Sequence, residues 1–248
     1  MTDNERTLMM FSNLFPEKID VTERIDSIEN AVYKQLKEFG FKKHGRTLHR
    51  FVSEDISQVI NFQCGQPYRN ETHLMWVNIG IRVPESFERK FEAVNSKKYY
   101  HEYECNIRTR LGMVKLKDSN KATTYDLRKS IDHMTANIVE EILEDVLPVF
   151  EILNSRESII AHRREYPWFD TLNSRLILLE ESMIYGHMGD KKKAKECFDY
   201  CLKTSSPHGF LAEQIDNKTM KSDWVIGLGW SHAMFIIVLK KMLEQKII

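Results

Sequence analysis

Six residues in the first half of the chain have the types and spacing to hold an anion: Arg46, Gln63, Asn78, Arg82, Arg108 and Arg110. Asn78 and Arg82 stand four apart in LMWVNIGIRV, and Arg108 and Arg110 stand two apart in CNIRTRL. If each run is a strand, each pair points to one side of a sheet. Gln63 takes the same side in ISQVINFQC, and Arg46 sits at the start of the first strand. A guanidinium offers a planar fork of donors that matches a carboxylate or a phosphate. On a rigid sheet such a row would recognise an acidic group of a small ligand or of a protein partner. The competing reading is a solvated or helix-covered face whose arginines pair with acids from the charged segment Glu85 to Glu104.

Other chemistry has less warrant. Trp224 and Trp230 could stack on a pyranose ring, although such tryptophans more often anchor packing. The nine histidines are scattered and form no H-x-x-x-H or H-E-x-x-H word, so no metal is expected. There is no G-x-x-x-x-G-K and no G-x-G-x-x-G, so no nucleotide cofactor is expected either. Cys197 and Cys201 are four apart in a helical pattern and read as small apolar residues on one face. Ser231 in GWSHA lacks the second glycine of a nucleophile elbow and reads as a helix N-cap.

The elements that position these residues follow from periodicity. Asp20 or Thr22 can cap a helix whose stripe is Ile25, Ile28, Val32, Leu36 and Phe39, with Gly40 as its C-terminal cap. The period then changes to two. Thr47 to Val52, the run from Ile56 to Cys64, Met75 to Val83 and Cys105 to Leu111 read as four strands. Their alternation suits an antiparallel sheet with one covered face. A second long helix is expected from about Tyr125, with a stripe of Leu127, Ile131, Met134, Ile138, Ile142 and Val146, and Pro148 marking a break or a new first turn. The end of the chain reads as a helical hairpin, Leu172 to Met188 and Lys191 to Lys203 around Gly189 and Asp190. A loop and a last helix, Ser231 to Glu244, complete it. Strands in succession, flanked by helices, argue α+β. The expected architecture is an antiparallel sheet of about four strands flanked by long helices, in residues 1–165. A small all-helical tail follows, in residues 166–248.

Bulk properties exclude several classes. Hydrophobic content of 42% supports a packed core. Lys plus Arg and Asp plus Glu each number 36, so the formal net charge is zero. A neutral chain lacks the global field that draws proteins to DNA or anionic lipid. An RNA-binding sheet would interleave aromatics with its basic residues, and only Trp76 fits that role. No run reaches the roughly 18 apolar residues of a membrane span. MTDNERTLMM does not read as a secretory signal. Four cysteines without a dense spacing pattern fit the cytoplasm, which is the expected location.

Two stretches resemble known families. FGFKKHGRTLHRF, QVINFQ, VNIGI, IRTRLG and LPVFE, in that order, resemble the bacterial domain-of-unknown-function family 4304. The likeness runs from about Ile25 to Leu153; it implies an α+β fold and brings no activity. GFLAEQID and GLGWSHAMF, after the hairpin IYGHMGDKKKAKECFDYCL, resemble the end of family-15 glycoside hydrolases, the glucoamylase-like enzymes. That likeness implies a general base at Glu213, with Trp230 and Ser231 at the start of the last barrel helix. An inverting glycosidase needs a second carboxyl group across the sugar. No segment here resembles the one that carries the family's acid, and the tail offers about three of the barrel's twelve helices.

The expectation is a protein that binds or interacts rather than catalyses, with a carbohydrate link through its tail. One alternative is hydrolysis of α-glucosides with Glu213 as base. The other is a partner-binding protein of the immunity type.

Overall fold

The structure is a computed structural model that describes residues 20–53, 55–66, 73–88, 97–170, 177–203, 212–215, 222–226 and 229–248. Of 212–215, 222–226 and 229–232 the backbone alone is described. Helix α1 spans Val21–Leu36, and Asp20 caps it by accepting from the Thr22 and Glu23 amides. A 3-10 turn follows and ends at Gly40, whose φ of 83° is left-handed. This is the C-terminal cap expected from the sequence.

Five strands then build a sheet in chain order: β1 Lys42–His44, β2 Thr47–Val52, β3 Ile56–Cys64, β4 Leu74–Arg82 and β5 Ile107–Arg110. Each pairs antiparallel with the next, and a two-residue strand β6, Tyr125–Asp126, pairs with β4 at Leu74 and Met75. Strands β1 and β6 add to the four expected. β1 is legible in hindsight, because Gly45, at φ 53°, and Arg46 close a tight hairpin between His44 and Thr47.

Short helices α2 Pro84–Glu88 and α3 Met113–Leu116 flank β5. Helix α4, Ile131–Glu141, runs through a π turn at Ile142–Val146 into α5, Leu147–Ile152. The expected start near Tyr125 is corrected: Ser130 caps α4. Tyr125 and Leu127 are buried two apart, in the strand's period, before the helix begins. Pro148 sits at the start of α5, directly after the π turn. Helix α6, Arg156–His162, follows.

One face of the sheet is apolar and packs on the helices. Ile25, Ile28, Val32 and Leu36 of α1 meet Ile60, Ile79, Ile81, Ile107, Ile138, Ile142 and Val146 in one fully buried core. Phe169 and Ile184 belong to the same core.

The chain ends in α7 Ile177–His187, α8 Lys191–Lys203, strands β7 Ala212–Ile215 and β8 Ser222–Ile226, and α9 Gly229–Glu244. A second core joins Leu179, Met183, Ala194, Phe198, Val238 and Met242. The all-helical tail is therefore corrected: β7 and β8 pair antiparallel where a loop was expected. Strands of four and five residues are too short for alternation to stand out from a loop. Among the described residues, no helix is long and apolar enough to cross a membrane.

Candidate functional site

The second face of the sheet carries the polar residues singled out in the sequence. Strand register puts Lys42 and His44, then Thr47, His49 and Phe51, then Asn61 and Gln63, then Trp76, Asn78, Gly80 and Arg82, then Arg108 and Arg110 on this side. A strap, Lys97 to Cys105, crosses part of it. Gly80 makes the crossing possible, because a Cβ there would lie 2.7 Å from the Cys105 Sγ. Cys105 thus lies against the polar face. Its expected place among the apolar residues of β5 is corrected, since the chain leaves a 3-10 turn at Cys105 and the strand starts only at Ile107. Burial pushes the Cys105 thiol well above its usual pKa, so it stays protonated.

The strap ties down several candidates. Tyr100 covers Arg82, whose guanidinium carbon is 3.7 Å from the ring centroid, and Arg82 is only 1% exposed. Arg108 bonds Glu102 through its Nε. This is the pairing with the Glu85–Glu104 segment that competed with ligand binding. Beyond the strap the face carries a ladder of polar side chains, with Asn78 buried at its centre. Asn78 donates to the Gln63 Oε1 at 2.9 Å, and the Arg110 Nε donates to the Asn78 Oδ1 at 2.9 Å. The Arg110 guanidinium carbon lies 5.9 Å from the Trp76 ring centroid. Arg46 stands apart from the row: its Nη1 contacts the Cys64 Sγ, and its Nε is 3.6 Å from Glu29 on α1. The six candidates are thus divided among a site under the strap, a polar ladder and a turn.

At its other edge the strap closes a cleft against β1 and β2. The cavity is about 520 Å³ and is lined by Lys42, Lys43, His44, His49, Arg50 and Lys98, with Tyr99, Phe51 and Gly40. No acidic side chain lines it among the described residues. Tyr99 stacks on His44 with centroids 3.7 Å apart and tilts toward His49 at 5.8 Å. Two of the cations are partly neutralised. Lys43 is 3.3 Å from Glu29, and Arg50 reaches Glu151 at 2.6 Å while donating to the Phe39 carbonyl and to Gln58. Lys42 and Lys98 make no ion pair among the described residues.

His49 is the unusual member. It is 6% exposed, and its Nδ1 has no hydrogen-bond partner among the described residues. Burial, then Lys42 and His44, hold its pKa below the ordinary imidazole value, so the ring is neutral at neutral pH. A buried polar atom left without a partner costs free energy unless something completes it. Concentrated positive charge beside a buried imidazole can bind an anion and, with it, a proton.

A family model matches residues 17–152, and its description is domain of unknown function (DUF4304). The chain belongs to the DUF4304 family. The matched span holds the whole DUF4304 sheet, the strap and every residue of the cleft. It stops before the tail, so the glucoamylase-like words stand outside it. No curated protein and no solved structure matches the chain. In the tail, Glu213 lies in β7, Trp224 in β8 and Trp230 in the first turn of α9; their side chains lie outside the described residues.

The cleft residues Lys42, His44, His49, Lys98 and Tyr99 were not singled out in the sequence. Their signal was the alternation of Lys42 and His44, then His49 and Phe51, on either side of the Gly45 turn. Among the described residues no three metal-ligating side chains converge.

Proposed function

We propose that this DUF4304 protein is a binding protein whose cleft takes an anionic group, carried by a small ligand or by a protein partner. The observation that supports this most is the cleft's composition: several cations and a buried, half-satisfied His49 around a cavity without a lining carboxylate. A charge-assisted hydrogen bond is roughly twice as strong as one between neutral groups. Titration with inorganic phosphate, followed by isothermal calorimetry, tests it. Lys42→Glu combined with Lys98→Glu is expected to weaken binding by tenfold or more, about 1.4 kcal/mol or above. Arg110→Glu, on the polar ladder, is expected to leave affinity within about twofold, a few tenths of a kcal/mol. Equal affinity in the double variant and the unaltered protein would remove the cleft reading.

A second, carbohydrate reading rests on the tail hairpin. β7 and β8 lose register between the pairs Ala212–Ile226 and Gln214–Asp223. Glu213 on one strand and Trp224 and Val225 on the other occupy that irregularity. Positions 213 and 224 thus share one bulge, and Glu and Trp are residue types that suit a sugar hydroxyl and a pyranose face. Maltotriose is expected to shift the Trp224 amide signal in NMR, with the shift reduced in Glu213→Gln; a flat titration ends the reading. If Glu213 also served as a base, the unaltered protein would release β-glucose from malto-oligosaccharides and the variant would not.

A further inference from the structure

We propose that the cleft takes a phosphate monoester and binds it together with a proton on His49, an inference that rests on the anion-binding reading above. Charge matching comes first. Lys43 and Arg50 are shared with Glu29 and Glu151, which leaves Lys42 and Lys98 as the cations without an ion pair among the described residues. A carboxylate brings one negative charge, whereas a phosphate monoester brings about 1.5 to 2 near pH 7 and three acceptor oxygens. The second answers two uncompensated ammonium groups. Size comes next. The cavity of about 520 Å³ lies within the roughly 300–1,000 Å³ typical of small-molecule sites. That leaves space beside the phosphate for the organic part of an ester, with Tyr99 and Phe51 as the aromatic wall.

His49 takes up the proton. Lys42 and His44, from β1, work against its charged form. Lys98 and the Tyr99 ring come from the strap, whereas Arg50, next on its own strand, turns to the other face of the sheet and bonds Gln58 and Glu151. On the other neighbouring strand, β3, the register partner of His49 is apolar Val59. Nothing acidic among the described residues lines the cleft to offset them. A bound dianion reverses that field, because an opposite charge within about 4–6 Å favours the protonated ring. The balance is simple: neutral His49, one proton from the buffer and the dianion give imidazolium beside phosphate, with no bond made or broken. Linkage then fixes the sign. Binding that takes up a proton weakens as pH rises, by up to about tenfold per pH unit.

Calorimetry of the full chain at pH 7.4, in two buffers of different ionisation enthalpy, counts the protons. The probes are phenyl phosphate, inorganic phosphate and a short Asp/Glu peptide, and affinities are repeated at pH 8.0, where both phosphates remain mostly dianionic. The expected result is net proton uptake with phenyl phosphate, affinity that falls between the two pH values, and phenyl phosphate binding tighter than inorganic phosphate. His49→Asn is expected to bind while losing the proton uptake, whereas His44→Asn keeps it. Phosphate binding without uptake, or uptake undiminished in His49→Asn, overturns the inference and leaves the anion-binding reading standing. Tighter binding of inorganic phosphate overturns the ester and makes the free ion the ligand. Tighter binding of the peptide overturns the phosphate class. If none of the probes binds, both readings fall together.

Discussion

Arg163→Ala is expected to cost about 3–5 kcal/mol of folding stability, the usual scale for removing one partner of a buried ion pair. Arg163 is 1% exposed and follows α6 directly. Its Nε donates to the Asp170 Oδ2 at 2.8 Å, and its Nη2 donates to the Glu180 Oε2 at 2.8 Å. Both acids are themselves 2% exposed. Burial opposes the Arg163 charge, yet Asp170 and Glu180 outweigh it and hold the guanidinium firmly protonated. Removing the arginine strands two carboxylates away from water. Next to it, Arg164 bonds Glu181 at 2.7 Å, and this weaker, partly exposed pair is left in place. Urea denaturation checks the value through the midpoint at constant slope. The triple change Arg163→Met, Asp170→Asn, Glu180→Gln is expected to recover more than half of the loss, since no charge is then left unpaired. A loss below about 1 kcal/mol for Arg163→Ala would show that water reaches the network, as it does for surface pairs.

Gly112→Ala is the second large effect, expected at about 2–5 kcal/mol. Gly112 has φ of 87°, and an added Cβ would lie 2.3 Å from the Thr123 Oγ1 and 2.4 Å from the Lys121 carbonyl. With ψ of −46° the backbone lies outside the left-handed helical well, so an alanine costs at least the roughly 1–2 kcal/mol of that well before any contact is counted. The collision with backbone adds an overpacking cost of about 1–3 kcal/mol. The surrounding bonds resist a shift: the Thr123 amide donates to the Leu111 carbonyl at 2.8 Å, and the Gly112 amide donates to buried Glu141. Gly189→Ala is the control. Its φ is 80° but nothing lies within 4 Å of the added carbon, so only the conformational cost of about 1–2 kcal/mol applies. Thermal unfolding of the two variants separates them; equal losses would remove the steric argument.

These two sites also mark what a one-dimensional reading can find. Gly112 ends the word IRTRLG, and that word was visible; why it needs glycine was not, because Lys121 and Thr123 arrive from a later turn. The apolar alternation of β3 and β4 was legible, since one buried face imposes a period of two. The face opposite was only half legible. Asn78, Arg82, Arg108 and Arg110 fall on it as expected, but the strap over Arg82 and Arg108 follows from Gly80 and Cys105, which are 25 residues apart in sequence. The cleft was missed because Lys42 and His49 are brought together by a hairpin, whereas Lys98 and Tyr99 come from beyond two further strands. Arg163 was unremarkable in the sequence. Its importance comes from Asp170 and Glu180, and buried charge leaves no periodic signature.

The strap belongs to the connection that leaves the sheet after Arg82 and returns at Ile107, which pairs with Ile81. Its two ends are therefore anchored at neighbouring positions on adjacent strands. Loops anchored in this way tolerate insertion and substitution, because the scaffold holds their ends while the middle varies. A lengthened or rewritten strap would change which side chains overhang His44 and His49 and would leave every strand pairing intact. The arrangement separates heredity of shape from heredity of surface: the sheet can be inherited unchanged while the lining of its cleft drifts.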